Sequence, residues 1–234
     1  MKNRHIHDEK QMMADIMLYL AGNQKLFRTH IKERKVRRNE VFHTDSDYFY
    51  IVKKGAFVSE LSSDKGNTHS LMLYSEMQIF GRSDSQSSIA VSRALTESIL
   101  YQIDRDFMID HLYVQPDLFR SVTNVFFHLT EDFVRMMALS NMKPQDKIIC
   151  TLYLLIKRIG LDREGNSFQL PSYITQSLVS TFCRTKKFTV TKEYQRLISE
   201  GYLEINGREV IVLDFQRIED YLIPFSPKQV PVFL

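Results

Sequence analysis

The sequence predicts an α+β chain: a β-rich first half, a long connecting helix, and a helix-rich second half closed by a hairpin. Three observations predict it: short β-type runs parted by turn signals between Val36 and Asp104, a helical apolar stripe from Leu118 to Met136, and a helix, helix, helix, hairpin order after Pro144. At 234 residues the chain makes one large domain or two small ones, and either is long enough to bury a core. With 44% hydrophobic and 25% charged residues, it has neither a disordered nor a fibrous composition.

Met12, Met13, Ile16, Met17, Leu20 and Leu26 have a mostly helical spacing, which predicts a short amphipathic helix over Met12 to Leu26. Five β-type runs follow, Tyr48 to Lys53, Ala56 to Leu61, Ser70 to Tyr74, Ile89 to Ala94 and Ser98 to Ile103. Lys54-Gly55, the polar stretch Ser62 to Asn67 and the stretch Gly81 to Ser88 separate them. Many short strands at intervals of roughly 8 to 12 residues fit a barrel or a sandwich.

The long helix opens near Pro116-Asp117. Leu118, Val122, Val125, Leu129, Phe133 and Met136 recur at nearly 3.5 residues, the period of a two-helix seam. A helix packed only on its own barrel shows a similar stripe. Phe126, Phe127, Met137 and Leu139 widen the apolar face, so one side can touch the barrel while another meets a partner, and a homodimer helix is the reading taken. Ser140 to Pro144 breaks the pattern, because proline disfavours helix at the residue before it. The expected domains are therefore residues 1–115, a dimerisation helix and hinge over 116–143, and a second domain over 144–234.

In that second domain Gln145 to Ile159 reads as a helix stopped by Gly160, Phe168 and Leu170 as a short strand, and Tyr173 to Phe182 and Lys186 to Glu200 as two further helices. Tyr202 to Ile205, Asn206-Gly207 and Glu209 to Leu213 form a hairpin signal, since Asn-Gly readily takes the positive φ angles of a type I′ turn. The layout is that of a winged helix-turn-helix. Between Pro171 and Arg196 the cations are Arg184, Lys186, Lys187, Lys192 and Arg196, and the sole acid is Glu193, a local excess above the +3 of the whole chain. Thr185, Thr189 and Thr191 add hydroxyls, and cations with hydroxyls at the front of a helix suit phosphate. Lys187, Thr191 and Tyr194 fall at i, i+4 and i+7 and share a face. Phe188 has two open readings, contact with a thymine methyl or packing into the domain core. A solvated charged helix face is the plainer alternative for the whole run.

Tyr50-Ile51-Val52-Lys53-Lys54-Gly55, the long helix and the segment Leu178 to Leu203 together resemble the Crp/Fnr transcription regulators, from about Val36 to Leu213. The resemblance implies a cyclic-nucleotide-binding-like jelly roll as effector barrel, a dimerisation helix, and a homodimer that reads an inverted-repeat operator in double-stranded DNA, with RNA polymerase as a further partner. It implies Lys187, Phe188 and Lys192 at the base-reading positions of the recognition helix, where Phe188 replaces the family's glutamate. For the effector pocket it implies Phe80-Gly81-Arg82 and Ser87-Ser88-Ile89-Ala90, hence Arg82, Ser87 and Ser88. The ribose glutamate and phosphate arginine of cyclic-AMP binders are missing, so cyclic AMP is not the expected effector, although Arg82 or Arg93 remains to meet an anion. The effector, the operator sequence and the sign of regulation stay open.

Other chemistry finds little support. Cys150 and Cys183 are too few for a disulfide framework or for the family's iron-sulfur sensing, so no cofactor is expected, and a reducing cytoplasm is the simpler home. A redox role for Cys183 beside Arg184 is a minor alternative to a packed small hydrophobe. His5-x-His7 with Asp8 and Glu9 has metal-ligating types, but in a polar terminus that favours fraying. No HExxH, GxSxG, Walker loop or GxGxxG is present, and a non-enzyme is expected. No apolar run is long enough for a membrane span, and the start MKNRHIHDEK is too polar for a signal peptide. The second functional class is a ligand-binding regulatory subunit whose winged helix docks protein instead of DNA.

Overall fold

Residues 4–62, 68–82, 90–138, 142–159, 161–163, 165–207 and 209–222 are described by a computed structural model. The chain divides into two units, Met1–Arg135 and Met136–Leu234.

In the first unit the oily face of Met13, Ile16, Met17 and Leu20 forms α1 (Arg4–Ala21). The Asn23 side chain then accepts from the Leu26 amide and starts α2 (Gln24–His30). The one helix expected over Met12 to Leu26 is thus two, since Gly22-Asn23 joins a poor helix former to a good N-cap.

Eight strands follow: β1 (Ile31–Val36), β2 (Val41–Phe42), β3 (Tyr48–Lys54), β4 (Phe57–Ser62), β5 (Thr68–Tyr74), β6 (Ile79–Gly81), β7 (Ala90–Ala94) and β8 (Ser98–Asp104). They form two antiparallel four-stranded sheets, ordered β1-β8-β3-β6 and β2-β7-β4-β5. The five expected runs are all strands. β2 and β6 are too short to show a period, and β1 hides behind the exposed run Lys32, Glu33, Arg34 and Lys35. Gly55, between β3 and β4, has φ +97° and its Cα lies so close to β8 that a Cβ would meet Ser98 Oγ at 2.3 Å, so glycine is needed there.

Side chains alternate along each strand. Tyr50, Val52, Leu100 and Phe80 point between the sheets to meet Phe42, Phe57 and Ala94. Phe42 and Tyr50 pack edge to face with centroids 5.0 Å apart, and Phe57 and Phe80 lie 5.5 Å apart. Ile31, Ile51, Ile79 and Ile103 point outward from the first sheet into a second apolar layer, covered by α1, α3 (Arg105–Tyr113) and α4 (Pro116–Ala138).

The second unit runs α5 (Pro144–Ile159), β9 (Leu161–Asp162), β10 (Phe168–Leu170), α6 (Gln176–Cys183), α7 (Lys187–Ser199), β11 (Leu203–Asn206), β12 (Glu209–Val212) and α8 (Phe215–Leu222), with its sheet ordered β11-β12-β10-β9. Ile148, Leu152 and Ile156 of α5 are buried together with Leu178, Phe182, Val190 and Leu197 of the two following helices. Asn206 pairs with Glu209, and Gly207 takes φ +62°. Asn206, expected in the turn, is still within the ladder. α8, absent from the sequence reading, buries Phe215 and Ile218. Among the described residues no helix is long and apolar enough to cross a membrane.

Candidate nucleic-acid interface

Helices α6 and α7 are joined by Arg184-Thr185-Lys186. Thr175 caps α6 by accepting from the Leu178 amide. Arg184 ends it in the left-handed region at φ +50°, and the Thr185 amide turns back to the Ser180 carbonyl at 3.0 Å. No side chain caps the first turn of α7.

Val190, Glu193, Tyr194 and Leu197 form the buried stripe of α7. At about 100° per residue, the opposite side is centred on Phe188, Lys192 and Gln195, with Lys187 at its edge. Phe188 is 80% exposed, and Arg184, Lys186, Lys187, Lys192 and Gln195 are exposed too. Thr185, Thr189 and Thr191 are half-buried. Thr191 Oγ1 lies 2.8 Å from Gln176 Oε1 and 3.1 Å from the Lys187 carbonyl, which ties α7 to the start of α6.

Three sequence assignments change here. Tyr194 does not share an open face with Lys187 and Thr191: it is 1% exposed, drawn inward with Val190 and Leu197. Arg196 is not one of the open cations. Its guanidinium bonds to Glu193 and to both oxygens of Glu200, at 2.7 and 2.6 Å, and these carboxylates raise its pKa further. Gln195 belongs to the open face, and its i+7 spacing from Phe188 was the signal. What remains is a cationic helix front around an exposed aromatic ring, with the exposed Asn206 and Gly207 at the hairpin tip of the same unit.

Cys183 is packed as a small hydrophobe. It is 1% exposed, its Sγ lies 3.2 Å from Thr151 Oγ1, and burial pushes its thiol pKa up to about 12. The thiolate needed for nucleophilic attack is therefore scarce near neutral pH. Among the described residues no group of three or more His, Cys, Asp or Glu is placed to hold a metal, and the side chains of His5, His7 and Asp8 lie outside them.

In the barrel, Ser87 and Ser88 lie outside the described residues, so of the expected effector pocket only Arg82 is placed, where its carbonyl accepts from Arg105 Nη2. Arg93, offered as an anion partner, is instead engaged by Glu60 in a two-pronged ion pair, Nε to Oε2 at 2.8 Å and Nη2 to Oε1 at 2.5 Å. Glu60 is itself buried, which requires such a partner.

Most of the stripe expected to form a dimer seam packs on the unit's own barrel instead. Val122 and Val125 are buried, and Leu118 and Leu129 half-buried, against the outer isoleucine layer of the unit's own barrel. That layer needed a cover, and this stripe supplies it. The side chain of Met136 lies outside the described residues. One residue out of phase runs a second stripe, Phe119, Thr123, Phe126, Thr130 and Phe133, at intervals of 4, 3, 4 and 3. Its phenylalanines are 54%, 44% and 41% exposed. The two threonine hydroxyls donate to the Phe119 and Phe126 carbonyls at 2.9 Å, so covering them would leave no hydroxyl proton unpaired. Phe119 and Phe126 also line an apolar groove of about 390 Å³ with Phe49, Ile109 and Leu112.

No family model matches the chain. A search of characterised proteins finds the transcriptional activator protein FnrA of Stutzerimonas stutzeri, 22% identical over 188 residues, or 77% of this chain and 76% of that protein. Among solved structures, a cyclic nucleotide-binding domain containing protein from Listeria monocytogenes EGD-e superposes with a TM-score of 0.76 at 19% identity, over 86% of this chain and 97% of that one. FixK2 from Bradyrhizobium japonicum superposes at 0.70 with 15% identity, over 81% and 96%. The chain thus has the α+β fold of cyclic-nucleotide-binding-domain and Crp/Fnr regulators.

Proposed function

We propose that the chain is a DNA-binding transcription regulator of the Crp/Fnr type that acts as a homodimer on an inverted-repeat operator. The observation that carries this reading is the open face of α7, where Lys186, Lys187 and Lys192 stand exposed on the second helix of a helix-turn-helix and the carboxylates of that helix and its C-cap, Glu193 and Glu200, are taken up by Arg196. Likeness to FnrA, a transcriptional activator, supports it.

In this reading α7 enters the major groove. Lys187 and Lys192 reach base edges, Arg184 and Lys186 hold phosphates, Thr185 and Thr189 flank them, and Thr191 positions the helix through Gln176. The Asn206-Gly207 hairpin tip meets the neighbouring backbone. Arg196 serves the helix's own ion-pair network. Residues 1–115 act as sensor, 116–143 as dimerisation helix and hinge, and 144–234 as reader, in the cytoplasm with RNA polymerase as a further partner. The dimer forms through the open stripe Phe119, Phe126 and Phe133, because these large apolar side chains recur at the period of a two-helix seam. Cyclic AMP is not the effector: the barrel space holds Phe42, Tyr50, Phe57 and Phe80, and Arg93 is held by Glu60.

Two measurements test this. Affinity for duplexes selected from a random pool falls steeply with salt, since each phosphate contact releases counterions, and binding that ignores salt would favour the regulatory-subunit reading. Phe126→Glu gives monomers in sedimentation, because a carboxylate at a seam is buried without a partner. Equal sedimentation of variant and wild type would remove this dimer face.

A further inference from the structure

We infer that Phe188 is a base-reading residue whose ring packs on the 5-methyl group of a thymine in the major groove, so that each half-site carries an obligatory T·A pair. The inference rests on the DNA-reading proposal and adds a chemical identity to one position of the operator.

Three features point to it. Phe188 is 80% exposed, twice as open as the next most exposed apolar residue of the helix, Ile198 at 40%, while Val190, Tyr194 and Leu197 turn inward. It is the second residue of α7, and recognition helices touch base edges with their N-terminal residues. It lies at the centre of the open face, between the cations Lys187 and Lys192, so a helix drawn to the groove by its charge brings this ring in first.

The chemistry of the groove then selects the partner. Phenylalanine has no hydrogen-bond donor or acceptor. Guanine, cytosine and adenine show polar groups on their major-groove edges, and a ring pressed on those would strip their water and return no hydrogen bond. Thymine alone offers an apolar group there, its methyl. Phe188 therefore favours T·A by attraction and disfavours the other pairs by desolvation. The register is held by the left-handed turn at Arg184 and the Thr191 to Gln176 bond, both independent of the ring.

The test uses the full chain and its tightest duplex from a random pool, with each thymine in turn replaced by deoxyuridine at symmetry-related positions of both half-sites. Loss of one buried methyl is worth about fourfold in affinity per half-site. Wild type is expected to lose that factor twice, once per half-site, or about 16-fold in all, at one thymine position and little elsewhere. Phe188→Ala is expected to bind the thymine and uracil duplexes equally, with an unchanged salt slope because no charge is removed. Its thermal unfolding should match wild type, since the ring is exposed. The inference is overturned if no thymine position in wild type is sensitive to the methyl, or if the sensitivity survives in Phe188→Ala. A wild type that binds no duplex in a salt-dependent way overturns the DNA-reading proposal itself, and the inference with it.

Discussion

The barrel and helix α7 treat their aromatic rings in opposite ways. Between the two sheets Phe42, Tyr50, Phe57 and Phe80 are all buried and in mutual ring contact. On α7 one aromatic, Tyr194, is buried and the other, Phe188, stands in water among lysines. Residue type alone does not separate these fates; angular position does. In the barrel these four rings sit on the inward parity of their strands, whereas on α7 Phe188 lies opposite the stripe of Val190, Tyr194 and Leu197. An aromatic on the wrong side of an amphipathic helix is one the fold does not need, and a partner is the simplest use for it.

The comparison is broken most severely through stability. Phe57→Ala should cost about 3 to 5 kcal/mol, because Phe57 is fully buried and the cavity it leaves is walled by packed rings. Phe188→Ala should stay within about 0.5 kcal/mol, as surface substitutions do. Urea midpoints of the two variants measure the contrast. Similar losses would mean that Phe188 packs on something in solution and is not an open contact.

Charge sharpens the same division. Lys192→Ala should weaken binding to selected duplexes by about 1 to 3 kcal/mol if it reaches a base edge and leave stability alone. Arg196→Ala should do the reverse: it strips the buried Glu193 carboxylate of its partner, a loss of about 1 to 3 kcal/mol in unfolding free energy. Paired urea and duplex-binding measurements separate them. The contrast fails if Arg196→Ala lowers affinity without lowering stability.

Sequence periodicity made much of this architecture legible. The five β-type runs, the long helix and the helix-turn-helix with its hairpin could be read from spacing, because each has a period and a turn signal. β2 and β6 could not, since two or three residues have no period. The face now proposed for the dimer differs from the expected one, sharing only Phe133 with it, for a related reason. Leu118, Val122, Val125 and Leu129 run parallel to Phe119, Phe126 and Phe133, and both stripes fit a seam. Which one covers the barrel depends on the outer isoleucine layer, a tertiary fact that no local pattern holds. In α7 the cations were visible as a run, but Arg196 is captured by both Glu193 within that run and Glu200 beyond it.

The smallest expected effect compares two buried tyrosines. The Tyr50 hydroxyl accepts from the Asp45 amide at 3.1 Å, while Tyr194 OH has no hydrogen-bond partner among the described residues. Removing a paired hydroxyl leaves the Asp45 amide without its acceptor, so Tyr50→Phe should cost about 0.5 to 1.5 kcal/mol. Tyr194→Phe removes a group that lost its water on burial and gained no bond, so at neutral pH the variant should be as stable as wild type or slightly more so. Alkali then separates the pair further. Burial raises the Tyr194 phenol pKa in the folded state, with a smaller Coulombic contribution from Cys183, while the unfolded chain ionises near the ordinary value of about 10. The unfolded state thus gains ionisation free energy above that pH that the folded state cannot match, and wild type loses stability as pH rises beyond it. Tyr194→Phe lacks the ionising group and escapes this loss, so its advantage should grow by somewhat under about 1 kcal/mol at half a pH unit above the phenol's ordinary pKa. Urea midpoints of both proteins at pH 7 and in mild alkali measure it. An advantage that stays constant with pH would show that the Tyr194 hydroxyl reaches water in the folded protein, and that α7 is less firmly seated than its buried stripe implies.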